Sequence, residues 1–306
     1  MISDRLLKLL NRIDASKKLI DKYRPLSPSI LSRLRQQMTI EWTYNSNAIE
    51  GNTLTLKETR LVIEEGITIG SKPIKEYLET INHKSAIEFV ESLAQKKSKI
   101  TERNIREIHS LVLKDIDPEY AGKYRDMNVR ITGSKHTPPD SLQVQDKMTD
   151  FQKKNLNTKN HPLIEAATAH FEFVSIHPFT DGNGRTARLL MNLILMKKGY
   201  FPAVIMKNDR LKYYDVLEKG HSGNIEDFIF FVARSLERTI NLYFEAIPKL
   251  KTSFITLKEA SEISEYSVDY LNVMARRGSI PAFKLKRNWM VSKKEFLKYV
   301  NEKKKK

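Results

Sequence analysis

Twelve consecutive residues, His177-Pro-Phe-Thr-Asp-Gly-Asn-Gly-Arg-Thr-Ala-Arg188, carry the densest set of reactive groups in the chain. His177 is a base that titrates near neutral pH. Asp181 offers a hard oxygen ligand suited to Mg²⁺. Gly182 and Gly184 open backbone conformations closed to other residues, and Pro178 ends whatever helix precedes them. Their amides lead into a helix N-terminus, where unpaired N–H groups and the dipole both favour an anion. Arg185 and Arg188 are three apart and so project from one face of the first turn. Two guanidinium forks beside a glycine-rich nest suit a polyphosphate. No Gly-Lys-Ser/Thr follows, so the segment is not a P-loop. A lone His before Pro is ordinarily a helix end, and an isolated Gly-Asn-Gly a turn. A base, a carboxylate, two glycines and two arginines within twelve residues make a site instead.

These groups need rigid elements on both sides. Leu163 to Ile176 is apolar on most sides, which predicts a central buried helix ending at the loop; a second helix should run from about Arg185 to Lys198 and stop at Gly199. Upstream, the apolar spacing predicts helices over 28–50, 75–95 and 101–114, the last opened by a capping-box-like Thr101-Glu-Arg-Asn. Between 127 and 140 the texture changes: Val129 and Ile131 alternate, a Gly-Ser turn follows, and Pro138 and Pro139 close the segment. This predicts a short β-hairpin on a helical body.

A second hexad, Ser46-Asn-Ala-Ile-Glu-Gly51, ends the helix over 28–50. Ser46 and Glu50 share a face at i, i+4. A carboxylate in the last turn is badly placed, because the C-terminal end of the dipole repels negative charge. Something else should hold it, and a buried arginine would serve.

His177 to Arg188 resembles the signature of Fic-domain proteins, His-Pro-Phe-x-x-Gly-Asn-Gly-Arg-x-x-Arg, at every fixed position, within a likeness covering roughly residues 30–240. The resemblance implies a mainly α fold: a Fic helical core with a short β-hairpin flap. It implies a nucleotidyltransferase, a protein adenylyltransferase that moves AMP from ATP to a Ser, Thr or Tyr hydroxyl. His177 would be the general base. Asp181 would hold Mg²⁺, Gly182, Asn183 and Gly184 would cradle phosphates, and Arg185 and Arg188 would neutralise them. Thr186 and Ala187 fall within the same nucleotide-binding stretch. The flap residues Ile131, Thr132 and Gly133 would touch ATP by backbone, and Tyr213 and His221 would lie near adenine, Tyr213 by stacking. The hexad is similar to the family's inhibitory motif, which implies that Glu50 pairs with Arg188 and autoinhibits the enzyme from within the chain. The same site could also remove AMP or move another nucleotide-derived group. A reading of a different kind is a nucleotide-sensing DNA-binding regulator, for which an intact His177, Asp181 and Arg188 set is unnecessary.

Composition sets the outer bounds. The chain has 306 residues, 40% of them apolar, enough for about two domains. It has no cysteine, which excludes disulfides, thiolate metal sites and a cysteine nucleophile and fits a reducing, cytoplasmic setting. The opening MISDRLLKLLNRID carries Asp4 and no small-residue cleavage site, so no secretory signal is expected. The most apolar stretch, Leu189 to Met196, is far short of the ~20 residues that span a bilayer, so no membrane partner is expected. The net charge is +16, and half of it lies in the last 56 residues, with fourteen Lys or Arg against six acids. That segment reads as a capped helix from Phe254 and a second helix from Ser267 to Arg277. Two short strands around Lys286-Arg287 and a last helix near Lys293 complete it. The order resembles a small winged helix-turn-helix domain, a module that binds DNA or docks a protein. The expected domains are an N-terminal helical region over 1–100 with the inhibitory helix, a Fic core over 101–248, and the winged helix-turn-helix-like domain with its basic tail over 251–306, with a boundary near Pro248 to Ser253. Expected partners are ATP, a target protein (the chain itself included), a second copy in a homodimer, and DNA or a docking protein at 251–306.

Overall fold

The computed structural model describes residues 2–68, 70, 72–248, 253–280, 282–285 and 288–304. Its helices, in chain order, are α1 (Asp4–Asp21), α2 (Pro28–Ile49), α3 (Leu56–Glu65), α4 (Ile74–Gln95) and α5 (Glu102–Leu113). Then come α6 (Val144–Asn155), α7 (Pro162–Ile176), α8 (Asn183–Lys197), α9 (Arg210–His221) and α10 (Ile225–Ala246). The C-terminal part follows as β1 (Phe254–Thr256), α11 (Leu257–Glu262), α12 (Val268–Arg277), β2 (Ala282–Leu285), β3 (Asn288–Ser292) and α13 (Lys293–Lys304). The described residues fall into two compact units, one formed by 36–235 and one by 1–35 with 236–306. This division groups α1 with the C-terminal segment.

In the 36–235 unit, α8 is the central rod, packed by α7, α4 and α5. Its Leu189, Leu190, Met191, Leu193 and Leu195 are fully buried, so the helix is apolar nearly all round after its first turn. Local chemistry sets its neighbours. Thr101 caps α5 by accepting from the Asn104 N–H while the Asn104 side chain accepts from the Thr101 N–H. α7 starts on Pro162, whose missing N–H is no loss in a first turn, and ends where His177 turns left-handed at φ 50°.

The 127–140 segment departs from expectation. It turns at 131–134, with the Ser134 N–H on the Ile131 carbonyl, but carries no strand ladder. Its polar groups are drawn elsewhere. The Ser134 hydroxyl and Lys135 N–H bond to Glu218, and His136 donates from Nε2 to the Ser175 carbonyl at 2.8 Å. Pro138 and Pro139 remove two donors from the returning arm. The expected hairpin is therefore a loop clasped to α9 and α7.

In the other unit, β1, β3 and β2 form an antiparallel sheet in that order, with Phe254 opposite Ser292 and Phe283 opposite Met290. Leu271, Trp289, Val291 and Phe296 close its core with α11, α12 and α13. Phe254 to Thr256 is thus a strand rather than the first turn of a helix, and α11 begins after a Thr256–Glu259 capping box. Lys286-Arg287 and most of the boundary near Pro248 to Ser253 lie outside the described residues. Among those described, no helix is long and apolar enough to cross a membrane.

Candidate active site

The loop between α7 and α8 is locked by its own residues. The Asn183 side chain brackets Phe179, donating to its carbonyl at 2.8 Å and accepting from its N–H at 3.0 Å. His109 stacks on the Phe179 ring, centroids 3.5 Å apart and planes within 3°. The Gly122 N–H donates to His109 Nδ1, so the ring proton is on Nε2, which donates to the Asp181 carbonyl at 2.9 Å. Burial lowers the His109 pKa to about 4 and keeps the ring neutral. Gly182 takes φ 73°, and a Cβ there would press on His109 and Val112. The loop can hold this turn only with glycine.

His177 stands at the end of α7. Its Nδ1–H donates to the Val174 carbonyl at 3.3 Å, which leaves the Nε2 lone pair outward. Burial lowers its pKa below 6.5, against a smaller opposing pull from the Val174 hydrogen bond, so it is a neutral base at physiological pH. Its carbonyl is gripped by Arg125, a buried side chain that sequence reasoning missed. Arg125 Nε donates to His177 O at 2.9 Å, Nη1 to Met127 O at 2.9 Å and Nη2 to Pro139 O at 2.5 Å, while its N–H reaches Pro178 O at 2.9 Å. One guanidinium therefore joins the base to both ends of the 127–140 loop.

The arginines of the first turn of α8 lie beneath this surface. Arg188 is 2% exposed. Its Nη2 meets Glu50 Oε1 at 2.7 Å and the Ser46 carbonyl at 2.8 Å, and its Nε donates to the Ser46 hydroxyl at 3.0 Å. Burial opposes the charge on Arg188, yet the Glu50 carboxylate holds the guanidinium above its usual pKa. The misplaced carboxylate at the end of α2 is thus held elsewhere: it lies against Gly184, in the first turn of α8, where the dipole is positive. A Cβ at 184 would collide with Glu50 Oε1, so the glycine admits the carboxylate. Arg185 is also buried, 3.2 Å from Glu79 Oε1 and 3.4 Å from Asp181 Oδ1. Its Nε and Arg188 Nη1 are buried donors with no hydrogen-bond acceptor, while its Nη1 faces Glu79 as an ion pair. Buried guanidinium donors left unpaired are what a phosphate would satisfy.

Asp181 is half-exposed, and burial alone would raise its pKa. Arg185, the Gly182 N–H and Lys75 outweigh that and hold it below the usual carboxylate range. No group of three acids or histidines among the described residues could enclose a metal alone. The donor set at Asp181 fits a cation that takes its other ligands from phosphate and water.

Of the sequence-predicted residues, His177, Gly184, Glu50, Ile131, Thr132 and Gly133 line one cavity of about 570 Å³. Tyr213 and His221 line it as well. Tyr213 has its ring buried under Arg188 and its hydroxyl bonded to His170, while Tyr214 beside it is only half-buried. His221 stacks on His136 at 4.0 Å. Asn183, Thr186 and Ala187 are buried behind the cavity, and Asn183 spends its amide on Phe179. Sequence reasoning also missed Glu79 and His109. His109 follows the apolar spacing of Ile105, Ile108 and Val112, which places it on the buried face of α5.

Burial keeps three histidines, His83, His109 and His170, neutral in the fold, with His109 near 4 and His170 near 3. Between pH 6.5 and about 4 the unfolded chain takes up protons that the folded chain refuses, so stability falls as the pH drops. Thermal unfolding should have a lower midpoint at about pH 5 than at about pH 7, and His109→Gln should reduce the difference.

A neutral base and Gly184, at a helix N-terminus, line one cleft, with buried guanidinium donors nearby, an arrangement suited to a phosphate-bearing ligand and to proton transfer. Known proteins place it further. The Fic/DOC family model matches residues 99–195 and a helix-turn-helix domain model matches 254–304. The protein adenylyltransferase Fic of Nematostella vectensis is 40% identical over 240 residues, covering 77% of this chain and 56% of that protein. The solved structure titled Fic-1 (aa134 - 508) from C. elegans aligns with TM-score 0.72 at 33% identity, over 81% of this chain and 73% of that one. A Fic domain containing signaling protein from Bacteroides thetaiotaomicron aligns with TM-score 0.70 at 29% identity, over 78% and 97%. The chain belongs to the Fic/DOC family. It spans about half the length of the curated relatives it matches.

Proposed function

We propose that this chain is a protein adenylyltransferase that uses ATP and is restrained by its own Glu50. The observation that carries the reading is His177. Its Nδ1 is fixed on the Val174 carbonyl, its Nε2 is outward and unprotonated, and it lines the same cavity as Gly184 at the start of α8. In the reaction, His177 Nε2 takes the proton of a Ser, Thr or Tyr hydroxyl on the target. The hydroxyl oxygen forms a bond to the α-phosphorus as the α–β bridging bond breaks, and pyrophosphate leaves. The amides of 183 and 184 at the start of α8 and the spare donors of Arg185 and Arg188 neutralise charge on the phosphates, as this chemistry requires. Asp181 would hold Mg²⁺, whose charge shields the phosphate oxygens. Ile131, Thr132 and Gly133 would close over the nucleotide, and Tyr213 and His221 would line its base end.

Glu50 lies on Gly184 and is paired with Arg188, in the region where terminal phosphates would bind. It restrains the reaction by denying them Arg188. The C-terminal module, by its helix-turn-helix match, brings DNA or a docking protein, and the thiol-free composition suits a cytoplasmic setting. Incubation with ATP labelled at the α-phosphate should leave label on protein, and His177→Ala should reduce it by about 10³-fold or more. Equal labelling of His177→Ala would remove the base from this account.

A further inference from the structure

The unit formed by 1–35 and 236–306 contains a second cavity of about 530 Å³, between α1 and the C-terminal module. Its floor is apolar, built by Leu19, Phe254 and Phe283, with Phe283 stacked on Phe244 at 4.1 Å. Its rim is cationic. Lys18 in the last turn of α1 and Lys22 at its C-terminal cap line the cleft with Arg276 and Arg277 from the last turn of α12. All four are exposed, and none has an ion-pair partner among the described residues. Lys8 at the rim is already paired with Asp4, and Arg12 with Glu237 at 2.6 Å. Among the described residues, Glu295 is the one acid that lines the cleft.

We propose that this cleft is a docking site for an acidic peptide segment of a partner protein, anchored by an apolar side chain on the floor and by carboxylates on the rim. The nucleotide site plays no part in it. Charge complementarity selects an anionic partner, and the floor selects among anions. A duplex backbone offers no apolar group for Leu19 and Phe283 to hold, and a double helix is too wide to enter a cleft of this size. The face of α12 that would read bases is also poorly furnished. Asn272 turns its amide back to the Val268 carbonyl at 3.0 Å, and Asp269 is exposed where phosphates would approach. Tyr270 and Val273, 50% and 39% exposed, are better suited to protein than to DNA.

The test is fluorescence anisotropy on the intact chain, using a short fluorescein-labelled peptide of Asp and Glu carrying two leucines. The peptide should bind, and binding should weaken about tenfold or more in Lys18→Glu/Arg276→Glu. Ala15→Trp, which fills the cleft without changing its charge, should weaken it similarly. On the wild-type chain, exchanging the two leucines for serine should do the same, which keeps the test independent of variant folding. Absence of peptide binding, or equal binding by both variants, overturns the proposal. So does duplex DNA that binds more tightly than the peptide and is lost in Lys18→Glu/Arg276→Glu.

Discussion

Replacing Glu50 by glycine is expected to raise protein labelling from ATP by about 10- to 100-fold. The estimate follows from the ion pair it breaks. Arg188 is 2% exposed and Glu50 about a third exposed, and a half-buried pair of this kind is worth roughly 1–3 kcal/mol. That much bias on the balance between occupied and vacant Arg188 converts to about one to two decades in the competent fraction. Glycine at this position costs little in helix, because α2 ends at Ile49 and Gly51 already turns at φ 103°. A second signature follows from the same contact. Without Glu50, Arg188 keeps Ser46 and the Tyr213 ring but has no carboxylate partner among the described residues, and its charge is buried uncompensated. Glu50→Gly should therefore unfold at a lower temperature than wild type without ligand, and ATP should raise its midpoint by more. Label transfer and thermal shift check the two parts separately. Unchanged labelling with a lowered midpoint would make the pair structural and leave the enzyme unrestrained by it.

Arg125→Leu is expected to lower kcat by about 100-fold and to move the acidic limb of the pH–rate profile to higher pH, because the Arg125 charge helps to hold the His177 pKa down. Three carbonyls, of His177, Met127 and Pro139, lose their donor together, and the tie between the base and both ends of the 127–140 loop is broken. The base then loses its position and a neighbouring cation, while its Nδ1 contact with Val174 remains. Arg125→Lys has one ammonium in place of the fork and should recover only part of the rate. A moved pH limb with an unchanged limiting kcat would mean that Arg125 acts on the charge of His177 and not on its position. The Arg125 pKa is itself lowered by burial, against a smaller opposing pull from Asp140.

The contrast between Arg125 and Arg188 shows what the sequence can carry. Arg188 was legible because it closes a contiguous pattern, and Glu50 because it shares a helix face with Ser46 ahead of Gly51. Their meeting, 138 positions apart, came from family resemblance rather than from periodicity, and it is present in the fold at 2.7 Å. Arg125 sits in an irregular loop where no spacing marks it, and its partners are all backbone carbonyls, which sequence does not display. His109 was hidden for the opposite reason, as it follows the apolar rhythm of α5 and reads as core. The helices around the site were legible to within a few residues, since long amphipathic segments with caps are the strongest local signal. The 127–140 hairpin failed because the alternation of Val129 and Ile131 is a local cue, whereas Glu218, Ser175 and Arg125 hold the segment by tertiary contacts. Phe254 to Thr256 failed because a short apolar run before a capping box fits either a strand or a first helical turn.

The central claim is that this site joins AMP to protein under the restraint of Glu50, and intact-mass spectrometry after incubation with ATP and Mg²⁺ tests it most directly. The Glu50→Gly chain should gain the mass of one AMP unit, wild type far less, and Glu50→Gly/His177→Ala none. An unchanged mass for Glu50→Gly, or the same gain with and without His177, would contradict it.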